Sequence, residues 1–203
     1  MSKTHRALII SCLQNDFLDW GSLGIEGSNG LVEFANQKME EFDTIIAIQD
    51  WHPATHQSFA ANHPWRKPGQ TMNINGIDQK LWTMHCIQDT FGAELAVDLE
   101  DGSFAAIFQK GALSEVDSLS AFFDEKGVKS TDLDDFLKEK GITELFIMGM
   151  ITEFDIRKTA LDALELGYQV NVFAEGCCGF SKDSGIVIQA FEEIEKAGGK
   201  IIE

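Results

Sequence analysis

The sequence predicts an α/β fold, a three-layer sandwich around a mostly parallel sheet of about six strands. Three observations predict it. Short apolar runs alternate with segments of helical period along the 203 residues, the order expected of strand–helix–strand units. Most of the runs are apolar on both faces, as strands are when helices cover both sides of a sheet. The length suits one large domain, residues 1–203, and no repeat, low-complexity tract or linker divides it.

The strands are read at residues 7–10, 44–48, 104–108, 145–148 and 170–173, with a last edge strand at 200–202. Helical spacing marks residues 31–41, 132–140, 153–166 and 185–197. The helix from Asp132 opens after Thr131 and stops at Gly141. The next opens after Thr152, with Asp155 three residues on in a capping-box arrangement, and ends at Gly167. Gly21, Gly24, Gly27 and Gly30 have no following Lys-Ser/Thr, so they form no phosphate loop and read as a flexible surface loop.

Charge excludes whole classes of partner. Lysine and arginine number 16 against 33 aspartates and glutamates, a formal charge of −17. Such a surface repels phosphate backbones and anionic lipid, so neither nucleic acid nor a membrane surface is expected. The basic start before Arg6 leads into an apolar run too short for a secretory core, and no stretch nears the ~20 apolar residues of a membrane span. Of the four cysteines, Cys177 and Cys178 are adjacent and look structural, and no pair has CxxC spacing. This usage fits a reduced, cytoplasmic protein.

One stretch breaks the alternation. Residues 51–95 contain no strand or long helix by pattern, yet hold four of the five histidines and three of the four tryptophans. Loops this long in a compact domain are usually functional, and this one begins where open α/β sheets bind ligands. Asp50 and His52, two residues apart past the second strand, point the same way if the chain is extended; His56 and His85 follow. One carboxylate with two or three imidazoles suits Zn²⁺, Fe²⁺ or Mn²⁺ and leaves open positions for water or substrate. The same residues also read as a plain turn with an Asx hydrogen bond.

Motifs spread over nearly the whole chain carry a resemblance. They include Gln14-Asn15-Asp16-Phe17, Gln49-Asp50-Trp51-His52-Pro53, His56 with Ser58-Phe59-Ala60, Leu81-Trp82 with His85-Cys86, and Gly92-Ala93-Glu94-Leu95. Lys110-Gly111, Asp117-Ser118, Ser120-Ala121-Phe122 and Thr159-Ala160-Leu161-Asp162-Ala163 continue the series. Together they resemble the isochorismatase-like hydrolases, within them the nicotinamidase (pyrazinamidase) branch. The resemblance implies a hydrolase of a linear C–N amide bond that converts nicotinamide or a similar small aromatic amide to the acid and ammonia. It implies a metal at Asp50, His52 and His85 with His56 nearby. Phe17 and Trp82 would sandwich the substrate ring, and backbone amides near Ile151 would face the oxyanion. The implied partner is a small molecule, in a chain compatible with homo-oligomers. Ordinary core packing is the other reading of Phe17 and Trp82.

The catalytic triad implied by the resemblance is aspartate, lysine and cysteine. Lys110 matches the lysine. Cys12 stands where the aspartate is expected and Asp155 where the cysteine is, an apparent exchange. A helix start favours a thiolate, whereas Asp155 there would repel a developing oxyanion. Three expectations follow: Cys12 attacks with Asp155 as base; water activated by the metal attacks with Asp155 as base; or the protein binds metal and ligand without turnover. Hydrolysis of another small amide or of isochorismate is a further alternative. Taken singly, Asp155 is also a capping residue, Cys12 a small hydrophobe, and Cys86 a packing residue.

Overall fold

The computed structural model describes residues 5–100, 102, 104–129, 131–181 and 184–203; the basic start at residues 1–4 lies outside them. Eight strands and four α-helices are described. The strands are β1 (Arg6–Ser11), β2 (Ile45–Asp50), β3 (Thr71–Ile74), β4 (Ile77–Lys80), β5 (Ala106–Lys110), β6 (Glu144–Met150), β7 (Gln169–Cys178) and β8 (Lys200–Ile202). The helices are α1 (Gly30–Met39), α2 (Leu133–Lys140), α3 (Arg157–Glu165) and α4 (Ser184–Lys196). Six strands form one sheet in the order β5-β2-β1-β6-β7-β8, every pairing parallel.

The two apolar faces of each strand feed two cores. Leu8 and Ile10 of β1 join Leu31, Ala35 and Met39 of α1 on one side. Ala7 and Ile9 join Leu133 and Leu137 of α2, Ala160 and Ala163 of α3 and Ile194 of α4 on the other. This is the expected three-layer α/β sandwich. Among the described residues no helix is long and apolar enough to cross a membrane.

Register places the chemistry. Ser11 is level with Ile48 on one side and Gly149 on the other, while Asp50 is level with Lys110. The carboxyl ends of β1, β2, β5 and β6 therefore finish side by side, and the segments leaving them carry Cys12, Asp50, Lys110 and Asp155.

Three expectations need correction. Residues 51–95 do contain strands: β3 and β4 form an antiparallel hairpin. Its Asn75-Gly76 turn has φ of 53° and 89°, the two-residue turn whose twist suits a hairpin. The glycine loop does lie at the surface, with Gly24 and Gly27 exposed, but at Gly21 and Gly24 its backbone is closely packed. A Cβ on Gly21 would lie 2.3 Å from the Asp16 carbonyl oxygen, and Leu23, Ile25 and Ser28 are buried. The capping box at Thr152 does not form. Residues Thr152–Ile156 make a π-helical turn, Ile151 is the residue before it, and the Thr152 hydroxyl is buried without a partner. The Asp155 carboxylate accepts instead from the Ile151 amide, at 3.2 Å.

Candidate active site

Lys110 closes β5 with its side chain almost wholly buried. An ammonium has three protons to donate, and all three have acceptors here. They are Asp155 Oδ1 at 2.7 Å, the Ser118 carbonyl at 2.8 Å, and Asp50 Oδ1, which makes the tightest contact. Burial works against the charge on Lys110, but Asp155 and Asp50 outweigh it and hold its pKa well above the ordinary value. For Asp50, burial is overcome by Lys110 and the imidazoles of His52 and His85, so it is held ionised far below the usual carboxylate range. Asp155 differs. Burial pushes its pKa up to about 6, Lys110 opposes this and Asp50 adds to it. Two carboxylates share one cation, and the one nearer the imidazoles keeps its charge more firmly.

Cys12 follows β1 with φ 53° and no exposed surface. Its Sγ lies 3.9 Å from Asp155 Oδ1, as a thiol donating to the carboxylate, and receives the Ser11 hydroxyl at 3.6 Å. Burial drives the thiol pKa well up, Asp50 adds to this, and Lys110 is too engaged to reverse it. Cys12 thus sits behind Asp155 as a neutral thiol. The carboxylate, not the sulfur, lines the adjoining cavity.

That cavity brings the expected residues together. Phe17, Trp82, Ile151, Asp155 and Lys110 line it along with Asp50, His52 and His85. It holds about 10 Å³, roughly one water, so an aromatic ring enters only when the lining side chains part. Phe17 is fully buried and its ring centre lies 5.3 Å from that of His85, so the aromatic wall abuts the imidazoles.

The donor set suits a divalent cation. The ligand atoms of Asp50, His52 and His85 lie within 4.8 Å of one another. His52 Nδ1 is 2.9 Å from the Gly111 carbonyl and His85 Nδ1 is 2.8 Å from the Thr83 carbonyl. A carbonyl only accepts, so both Nδ1 atoms carry protons and both Nε2 atoms turn to Asp50 Oδ2, at 3.7 and 3.8 Å. Those separations are too long for hydrogen bonds and leave room for an ion, and backbone partners on the far nitrogen are the usual support of a metal-binding histidine.

His56 stands apart from these three. It packs behind His52, ring centres 4.4 Å apart, with Nδ1 on the Ser58 hydroxyl at 2.7 Å and Nε2 near the Val116 carbonyl at 3.3 Å. Burial, then His52, pushes its pKa down to about 4. It also falls within reach of Asp117 and His52 as a second donor group.

Several positioning residues had no role assigned from sequence. Gln14 clamps the Asp50 backbone, donating to its carbonyl at 2.8 Å and accepting from its amide at 2.8 Å. Asp16 accepts from the Cys86 amide at 2.7 Å, tying the His85 segment to the Phe17 segment. Gly111 seats the His52 ring: a Cβ there would lie 2.4 Å from His52 Cε1. Gln14, Asp16, Gly111 and Asp117 all belong to the quoted motifs, so the signal was present without its geometry.

Known proteins match this chain along most of its length. The isochorismatase domain model matches residues 6–203. The nicotinamidase of Escherichia coli (strain K12) is 41% identical over 203 residues, covering 97% of this chain and 93% of that protein. A nicotinamidase/pyrazinamidase structure from Acinetobacter baumanii superposes with TM-score 0.95 at 34% identity, covering 100% of this chain and 98% of the other. The pyrazinamidase of Pyrococcus horikoshii, solved in complex with zinc, has TM-score 0.80 at 29% identity, covering 98% of this chain and 99% of the other. With the family model spanning all but the first residues, and with the sheet, the cavity and its motifs in place, the chain belongs to the isochorismatase domain family.

Proposed function

We propose that this protein hydrolyses the carboxamide of nicotinamide or a similar small planar aromatic amide, giving the acid and ammonia. The observation that carries the reading is the single cavity in which the Phe17 and Trp82 rings, the Lys110–Asp155 pair and the Asp50/His52/His85 donors meet. It is supported by 41% identity to a nicotinamidase over nearly the full length. A neutral substrate is indifferent to the acidic surface. Residues 51–95 act as the segment that carries metal and substrate groups, within one domain. The four unpaired cysteines suit a reducing compartment such as the cytoplasm.

Asp155 is the base in this reading. It faces the cavity, takes a proton from an attacking water, and returns it to the departing nitrogen as the C–N bond breaks. The water oxygen becomes part of the acid. Lys110 keeps a fixed positive charge beside the reacting carbon as negative charge develops. Because Asp155 already occupies the Ile151 amide, that donor is not free to hold the oxyanion while the carboxylate stays in place. Cys12, behind Asp155, is assigned no bond-forming role. Asp50, His52 and His85 would hold a divalent ion, zinc ahead of iron or manganese, with His56 backing His52. Such an ion supplies Lewis acidity and lowers the pKa of water.

The Asp155–Ile151 contact also favours a second reading, a site that binds ligand without turning it over. Ammonia release from nicotinamide, measured beside calorimetric binding of the same compound, separates the two. Release supports hydrolysis; binding with no release supports the second reading.

A further inference from the structure

The β3–β4 hairpin brings one more charged group to the cavity wall. Lys80, the last residue of β4, places its ammonium 4.7 Å from the centre of the Trp82 ring, 4.6 Å from Phe154 and 5.6 Å from Phe180. Phe154 and Phe180 meet Trp82 edge-on, at 5.1 and 5.7 Å between ring centres. The cation is therefore caged by three rings, one of which is the wall of the catalytic cavity. The cage opens on a groove of about 960 Å³ lined also by Asp19, Glu26 and Glu153. Among the described residues Lys80 is the one basic side chain lining it. Glu153 is fixed against the cage, accepting from the Phe180 and Ser181 amides at 3.2 and 2.7 Å.

Without its lysine, this construction is an aromatic box rimmed by carboxylates, the chemistry that recognises organic cations. With the lysine, the box is already filled by a positive charge that bears on the Trp82 ring, itself part of the cavity wall. We infer that Lys80 is a specificity-determining residue: it makes the site reject amides whose ring carries a fixed positive charge, such as N-alkylpyridinium carboxamides, in favour of neutral ones. The inference rests on the proposed placing of the substrate ring against Trp82. Like charges about two ring-widths apart near a protein surface discriminate by about tenfold.

The test uses the full chain and two probes, neutral nicotinamide and the 1-methyl-3-carbamoylpyridinium cation. Calorimetric affinities are measured for wild type, Lys80→Met and the charge-retaining Lys80→Arg. The expected result is a cation-to-neutral affinity ratio about tenfold higher in Lys80→Met and unchanged in Lys80→Arg. An unchanged ratio in Lys80→Met, absence of cation binding to it, or an equal gain in Lys80→Arg overturns the inference. Lys80→Gln reads the same contrast where Lys80→Met folds poorly. Absence of ammonia release from nicotinamide in every protein counts against the proposed hydrolysis and leaves the ratio to judge Lys80.

Discussion

Lys110 Nζ and Asp155 Oδ1 form an ion pair of 2.7 Å in a site where both residues are buried. The same ammonium also holds Asp50, so one lysine bridges the carboxylate facing the metal donors and the carboxylate facing the cavity. This bridge organises the chemistry proposed above. It allows Asp50 to remain charged next to two imidazoles, while Asp155 keeps a pKa close to working pH.

The first prediction concerns which group reacts. A general base contributes ~10²–10⁴-fold, so Asp155→Asn lowers kcat by about that factor. Cys12→Ala stays within about tenfold of wild type, since the thiol reaches the cavity only through Asp155. Iodoacetamide leaves the wild-type rate unchanged. The double exchange Cys12→Asp with Asp155→Cys puts a thiol on the cavity wall, and its activity becomes sensitive to alkylation. Loss of activity in Cys12→Ala, with alkylation sensitivity in wild type, would return the nucleophile to Cys12.

The second prediction is a pH dependence with a defined sign. Asp155 works as a base only when ionised, and its pKa is about 6. kcat/KM therefore rises with pH and levels off above about 6, and this limb is absent from the residual activity of Asp155→Asn. The stability contribution runs the other way. The folded state holds the Asp155 proton more tightly than an unfolded chain does, so its contribution is full below about pH 4 and lost as pH rises through about 6. Asp50, held ionised, contributes stability that is lost as pH falls. Urea titrations of wild type and Asp155→Asn between pH 4 and 7 separate the two, because only the wild type shows the decline due to Asp155.

Much of this site was legible in the sequence, for physical reasons. Two-faced apolar runs give parallel strands, and parallel strands put their carboxyl ends together, so Asp50 and Lys110, each at the end of such a run, fall at the same edge of the sheet. Three features escaped. The Asn75-Gly76 turn carries a strong hairpin signal and Thr71–Ile74 alternates, but each flanking strand has only four residues and neither is buried, too little apolar pattern to mark a strand. The π-helical turn at Asp155 moves the cap back by one residue, because the carboxylate is drawn to Lys110 and the Ile151 amide rather than to Thr152. The loop at Gly21 and Gly24 looked flexible because glycine permits motion. Here it permits close approach to the carbonyls of Asp16 and Asp19.

Gly111 supplies a third prediction, on the metal. Its φ of 65° and the His52 ring above it leave no space for a methyl group. Gly111→Ala tilts the ring and disturbs the Nδ1 bond to the Gly111 carbonyl. Losing such support to a ligating histidine typically costs 10–100-fold in metal affinity. Calorimetric zinc titration of metal-free wild type and Gly111→Ala checks this directly. Zinc at a fixed concentration also raises Tm less in the variant, since stabilisation follows concentration over Kd. Chelation lowers both Tm and activity of the wild type, and equal zinc affinity in the two proteins would show that His52 is not a ligand.

Lys110→Met provides the last prediction, on stability. The substitution keeps the length of an unbranched side chain and removes its charge, leaving Asp50 and Asp155 buried beside each other. Removing one partner from a buried ion pair usually costs 3–5 kcal/mol, because the remaining charge is left uncompensated. The urea midpoint at pH 7 falls accordingly, with the slope of the transition unchanged. Part of the loss returns when Asp155→Asn is added, since one of the two stranded charges is then gone. Part also returns on acidification, because without Lys110 the Asp155 carboxyl takes up its proton at higher pH than in wild type. A simple loss of packing predicts neither recovery, so the double variant and the acid titration distinguish an electrostatic bridge from a space-filling lysine.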